Sequence, residues 1–216
     1  MKIDIWSDVA CPWCYVGKRN LETALAELTL DDVEVRWRAF ELDPGAPKST
    51  TRSMAEILAA KYQVSAEEAE EMNRRMTTVA SKAGLEYHLD DVKLGNSFDA
   101  HRLAKMAEEV GRGSDAAEAL FHAYFVEGRR ISEHATLVEI GTEIGLDADE
   151  VALMLDSDRY AEDVRADEEM AREAGFGGVP TYVIDGKFAL PGAQPPETLV
   201  RILSKVASGV TDPASL

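Results

Sequence analysis

Residues 2–19, KIDIWSDVACPWCYVGKR, carry both cysteines of the chain, Cys11 and Cys14. The change of period inside this stretch decides the fold. Ile3 and Ile5 alternate with Asp4 and Trp6, the period of a strand. From Pro12 to Leu28 the spacing turns helical, with Leu21, Leu25 and Leu28 four and three residues apart. Residues 33–40, VEVRWRAF, alternate again, with Val33, Val35, Trp37 and Ala39 on one face. Strand, helix and strand of these lengths predict a βαβ unit with parallel strands and a right-handed crossover.

Residues 41–53, ELDPGAPKSTTRS, are a loop rich in Pro, Gly, Ser and Thr that marks a boundary. Beyond it the signals are helical as far as Ala174. Ser65 and Glu68 form a capping box for a helix running towards Ala83. Asn96 or Ser97 can cap a helix to Val110, and Ser114 one that ends at Gly128. Further helices are expected from Glu133, Asp147 and Tyr160, the last ending ahead of Gly175. Residues 180–190, PTYVIDGKFAL, are two β-rich runs around Asp185-Gly186, which favours a type I′ hairpin. A proline-started helix ending at Gly209 follows, and VTDPASL is expected to fray. The order β-α-β, helical block, β-β-α predicts an α/β protein: one mixed sheet flanked by helices, with the block inserted.

Charge narrows the partners. The formal net charge of −17 repels phosphate backbones and anionic headgroups, which argues against nucleic acid and membrane partners. Asp4 and Asp8 interrupt the apolar core a secretory leader needs, and no apolar run approaches the ~18 residues of a membrane helix. A cytoplasmic protein is expected.

Three roles compete for the cysteines. A structural disulfide between residues three apart closes so short a loop that it stabilises little, and a reducing cytoplasm opposes it. A zinc site needs further ligands, and His88, His101, His122 and His134 form no H-x₃₋₅-H pair, so no metal is expected. Redox chemistry fits the spacing. The N–H groups and dipole at a helix start favour a thiolate at Cys11, and Pro12 suits the first helical position. Cys14, one turn later, can resolve a mixed disulfide on Cys11.

The stretches SDVACPWCYVGKRNLE, VRWRAFELDP, GNSFDAHRLAKMAEEVG and GFGGVPTYVIDGKFALPGAQPPETL resemble the DsbA-like branch of the thioredoxin superfamily, in particular its FrnE-like dithiol–disulfide oxidoreductases. The resemblance implies a thioredoxin-like domain formed by residues 1–45 and 175–216, with residues 46–174 as an inserted α-helical domain. It implies a thiol–disulfide oxidoreductase or isomerase acting on protein or small-molecule thiols and disulfides. No cofactor is implied beyond the Cys11–Cys14 disulfide itself, with glutathione as a co-substrate. Pro12 and Trp13 form the spacer of the redox pair, and Val179 and Pro180 bind substrate. By itself the sequence allows Pro180 to be an ordinary trans proline opening an edge strand; the resemblance implies a cis proline facing the cysteines. The strongly oxidising relatives carry Pro-His between the cysteines, so Pro-Trp here predicts a milder couple.

Some residues have plainer readings. His101 reads as a solvated or helix-packing histidine rather than a cleft residue. Lys18 and Arg19 read as a solvated helix face, Trp13 as an exposed rim aromatic, and Trp37, Phe40 and Phe176 as core. Two other functions compete. One is glutathione-dependent isomerisation of the hydroxychromene-carboxylate isomerase type, whose members generally keep a serine where Cys11 stands. The other is a non-catalytic binding or chaperone module, which would be indifferent to Cys11→Ser.

Overall fold

Strand β1 (Lys2–Ser7), helix α1 (Pro12–Glu27) and strand β2 (Glu34–Ala39) follow the sequence period closely. The computed structural model describes residues 1–30, 32–210 and 212. β1 and β2 pair in parallel, Ile3 opposite Val35 and Ile5 opposite Trp37. The helical block comprises α2 (Met54–Tyr62), α3 (Ala66–Lys82), α4 (Phe98–Glu109), α5 (Gly113–Phe125), α6 (His134–Glu143), α7 (Ala148–Leu155) and α8 (Ala161–Glu173). Strands β3 (Thr181–Ile184) and β4 (Phe188–Pro191) then form an antiparallel hairpin, and α9 (Pro196–Ala207) closes the chain. Asp185 and Gly186 turn the hairpin with φ of 49° and 67°, the double positive φ of a type I′ turn. The frayed tail expected from residue 210 onwards lies largely outside the described residues.

The four-stranded sheet has the order β2-β1-β3-β4. β3 runs antiparallel to β1, with Ile184 opposite Ile3 and Tyr182 opposite Ile5. Those four side chains are fully buried on the face that α1 covers, and they join one core with Leu21 of α1 and Leu199, Ile202 and Leu203 of α9. Each such apolar side chain contributes roughly 1.5–3 kcal/mol on burial. The other face is also covered. Trp6 Nε1 donates to the Asp167 carbonyl in α8 at 2.8 Å, and the Asp167 carboxylate accepts from the Ala39 amide at 2.8 Å. Arg38 Nη1 lies 3.2 Å from the same carboxylate, Lys105 Nζ contacts it, and Arg38 also pairs with Asp4 at 2.8 Å. The polar side of β1 therefore faces α8 and not water.

Local chemistry accounts for the helix starts, with exceptions. Ser65 and Glu68 make the expected reciprocal capping box. Ser53 and Glu56 make a second one, which opens α2, a helix the sequence reading did not name. Asn96 Oδ1 accepts from the Phe98 amide at 2.8 Å at the start of α4. Ser114 is not a cap: α5 starts at Gly113, and the Ser114 hydroxyl accepts from Trp37 Nε1 at 3.2 Å. A tertiary partner outcompeted the local one. Of the three aromatics expected in the core, Trp37 is buried, whereas Phe40 and Phe176 are half-buried. Phe176 packs edge-on against Trp6, with centroids 5.1 Å apart.

Candidate active site

The turn ahead of α1 is held by one buried carboxylate. Asp8 accepts from the Ala10 amide at 3.0 Å and from the Leu42 amide at 2.7 Å, and its carbonyl accepts from the Cys11 amide at 3.0 Å. His101 is buried, not solvated, and its Nε2 lies 3.5 Å from Asp8 Oδ1, an electrostatic contact without a formed hydrogen bond. Burial acts to raise the Asp8 pKa, but His101 and the two amides outweigh it and hold the carboxyl below its ordinary value. A depressed folded-state pKa means that the unfolded chain takes up this proton more readily. The carboxylate thus contributes stability above the unfolded pKa of about 3.9, lost as pH falls through the folded value. The gap in melting temperature between wild type and Asp8→Asn is expected to be widest near neutrality and to close towards about pH 2. A gap that stays constant over that range would remove the electrostatic account.

Cys11 occupies the N-cap position of α1 with extended backbone (φ −94°, ψ 111°), and the Cys14 amide donates to the Cys11 carbonyl at 3.0 Å. Both sulfurs are reduced thiols, and the two cysteines approach to 3.5 Å. The first turn of α1 contains no acidic residue to oppose a thiolate. Cys11 is 4% exposed and Cys14 only 1%. Burial, then the hydrogen bond and charge of Cys11, push the Cys14 thiol well above its usual range. Cys14 is therefore a thiol at neutral pH.

Residues 168 positions away complete the site. The Cys11 thiol donates to the Val179 carbonyl at 3.6 Å, and the Val179–Pro180 peptide is cis. Pro180 is buried, and Trp13 is 46% exposed at the rim, as the sequence suggested. The structure thus brings Cys11, Cys14, Pro12, Trp13, Val179 and Pro180 to one place.

The helical block buttresses this end of α1. Tyr87 donates to the Pro12 carbonyl at 2.7 Å. Tyr15 stacks on Phe121 at 5.0 Å and on Tyr87 at 6.0 Å, contacts each worth about 0.5–1.5 kcal/mol beyond their area. Lys18 and Arg19 are not a solvated face. Lys18 is 5% exposed, and both cations pair with Glu118 of α5, at 2.6 and 2.5 Å. Burial acts to raise the Glu118 pKa, but Lys18, Tyr15 and Arg19 bring it below its ordinary value. Of the residues the sequence reading missed, only Asp8 carries a local signal, since an Asp two residues before a free amide suits an Asx turn. Tyr87 and Glu118 have none, being long-range partners.

A redox-spaced thiol pair at a helix start, beside a cis-proline on this mixed sheet, defines a thiol–disulfide oxidoreductase. Residues 2–204 match the DSBA-like thioredoxin domain family, and the chain belongs to it. A probable DsbA oxidoreductase from Streptomyces coelicolor is similar at 40% identity, with a TM-score of 0.92 over 98% of this chain and 92% of that one. The cytosolic disulfide reductase DsbM from Pseudomonas aeruginosa shares the fold at 20% identity, TM-score 0.67, over 97% of this chain and 100% of that one. So does a 2-hydroxychromene-2-carboxylate isomerase, at 15% identity and TM-score 0.71, over 96% and 95%. Among the described residues, no helix is long and apolar enough to cross a membrane.

Proposed function

We propose that Cys11 is the attacking thiolate, Cys14 the resolving thiol, and the Val179–Pro180 peptide the edge on which the substrate disulfide is aligned. The contact between the Cys11 sulfur and the Val179 carbonyl carries this reading. A chain bonding to that backbone would hold its own sulfur in line with Cys11. Cys11 attacks one substrate sulfur and the substrate S–S bond breaks. Cys14 then displaces the remaining substrate thiol, leaving a Cys11–Cys14 disulfide and a substrate reduced by two electrons. The reverse sequence oxidises a dithiol.

Substrates in this reading are protein or small-molecule disulfides, with Trp13 as the apolar contact at the rim. Glutathione is the proposed thiol co-substrate, and no further cofactor enters. The acidic composition, with a formal net charge of −17, favours the cytoplasm. Residues 1–45 and 175–216 would form the redox domain and residues 46–174 the insertion that covers it. The Pro-Trp spacer favours a milder couple than Pro-His, and a cysteine at position 11 where the isomerase type keeps a serine, paired with Cys14, argues against the isomerase chemistry.

The test is a trap. Cys14→Ser is expected to accumulate mixed disulfides on Cys11 in cells, released by dithiothreitol and absent from the Cys11→Ser/Cys14→Ser double variant. Adducts that persist in the double variant, or no adducts under oxidising stress, would sink the assignment.

A further inference from the structure

One polar residue of the helical block reaches the redox turn without a part in the chemistry described so far. His101 lies in the first turn of α4, 5% exposed, and its Nε2 has no hydrogen-bond partner among the described residues. Filling space does not account for it. The ring borders a cavity of about 20 Å³, room for one water molecule, that also touches Ser7, Trp37 and Leu120. A side chain kept only for packing would fill that gap, and a leucine there would bury no unpaired nitrogen.

What His101 faces is Asp8. Its Nε2 lies 3.5 Å from Oδ1 of that buried carboxylate. A carboxylate held ionised can only accept, so the nitrogen turned towards it carries a proton. Oδ1 also accepts from the amide of Ala10, the residue before Cys11, and the Asp8 carbonyl accepts from the Cys11 amide. The turn that presents Cys11 is thus built on a full negative charge, and a negative charge this close opposes a thiolate. The other charged groups nearby are committed elsewhere. Arg38 and Lys105, which border the same cavity, are bound to Asp167, and Glu41, beside Leu42, is held by Arg165 and Asn96. The Tyr124 hydroxyl lies in the field of Asp8 but makes no hydrogen bond. The proton on His101 Nε2 is what remains to offset the Asp8 charge.

We propose, on the assignment of Cys11 as the attacking thiolate, that His101 is a positioning residue of the redox site, which acts through Asp8 by offsetting the charge on which the Cys11 turn is built. Asp8 supplies the acceptors that fix the turn, and His101 removes their electrostatic cost to the thiolate. In the attack, the Cys11 sulfur bonds to one substrate sulfur, the substrate S–S bond breaks, and the electron pair leaves on the other sulfur. His101 transfers no proton in that step.

Dithiobis-nitrobenzoate reads the step directly. Attack by Cys11 releases one coloured thiolate in a first phase, and displacement by Cys14 releases a second one in a later phase. His101→Leu keeps bulk and loses the N–H, while the Ala10 and Leu42 amides still donate to the charged carboxylate. It is expected to slow the first phase about tenfold at neutral pH, the scale of one charge-assisted hydrogen bond, and to move its pH midpoint up. His101→Gln keeps an N–H for the carboxylate and should stay within about threefold of wild type. Asp8→Asn removes the charge itself and should move the midpoint down. The double variant His101→Leu/Asp8→Asn should then return to the midpoint of Asp8→Asn, even if its melting temperature falls. Packing alone predicts otherwise, since two core substitutions lower stability without moving a midpoint in opposite directions. A wild-type midpoint in His101→Leu overturns the proposal, as does a double variant that keeps the His101→Leu midpoint. Should His101→Leu fail to fold, Asp8→Asn decides, and a midpoint at or above wild type overturns the proposal. Wild type without a first phase overturns the Cys11 assignment itself, a result distinct from these.

Discussion

Cys11→Ser is expected to lower the rate of disulfide exchange by about a thousandfold or more while leaving the melting temperature within a few degrees of wild type. Serine cannot form the S–S bond, so the covalent step is lost outright. Cys14 is a poor substitute because it is nearly inaccessible and its thiol is held protonated by burial. Stability should change little, since the side chain's hydrogen bonds, to the Val179 carbonyl and with Cys14, are weak thiol contacts. Turbidimetric reduction of a protein disulfide and the two-phase reaction with dithiobis-nitrobenzoate both read this loss. Exchange within tenfold of wild type would remove Cys11 from the mechanism. A Cys11→Ser protein that conjugated or isomerised substrates with glutathione would instead favour the isomerase type.

Asp167→Ala carries the largest expected effect on stability, about 3–5 kcal/mol, the cost of leaving buried charge without its partner. The side chain is 2% exposed and serves the Ala39 amide, Arg38 and Lys105 together. Its removal orphans an amide at the end of β2, leaves Arg38 with Asp4 alone and leaves Lys105 only the longer contact to Glu108 at 3.6 Å. For a chain of this size the melting temperature should fall by about 10 °C. Replacing Lys105 by Met should cost less, because Arg38 still neutralises the carboxylate. Chemical denaturation of both variants checks the order. An Asp167→Ala protein within 1 kcal/mol (about a fivefold change in the unfolding constant) would mean that the network is not what docks α8.

Much of the site is visible in residues 2–19. The turn from a two-residue to a helical period placed Cys11 at a helix start, and the Asp-Gly pair placed the hairpin bearing Val179 and Pro180. Errors arose where a local preference met a distant partner. Ser114 favours a cap in any isolated helix, yet here its hydroxyl accepts from Trp37. Lys18 and Arg19 look like surface cations until α5 brings Glu118 against them. His101 resembles any polar helix residue until the Asp8 turn arrives beside it.

What the sequence determined by itself is therefore the alternation of strands and helices, the parallel βαβ unit, and the reading of the two cysteines as a redox-spaced pair. These follow from period, caps and spacing, which act over a few residues. Only the tertiary structure decided that the Cys11 sulfur meets the Val179 carbonyl, that burial pushes the Cys14 thiol up, and that the Tyr182 hydroxyl sits on Gly17. Each depends on burial and on distances between groups as much as 168 residues apart. Packing sets such distances, and no local pattern encodes them.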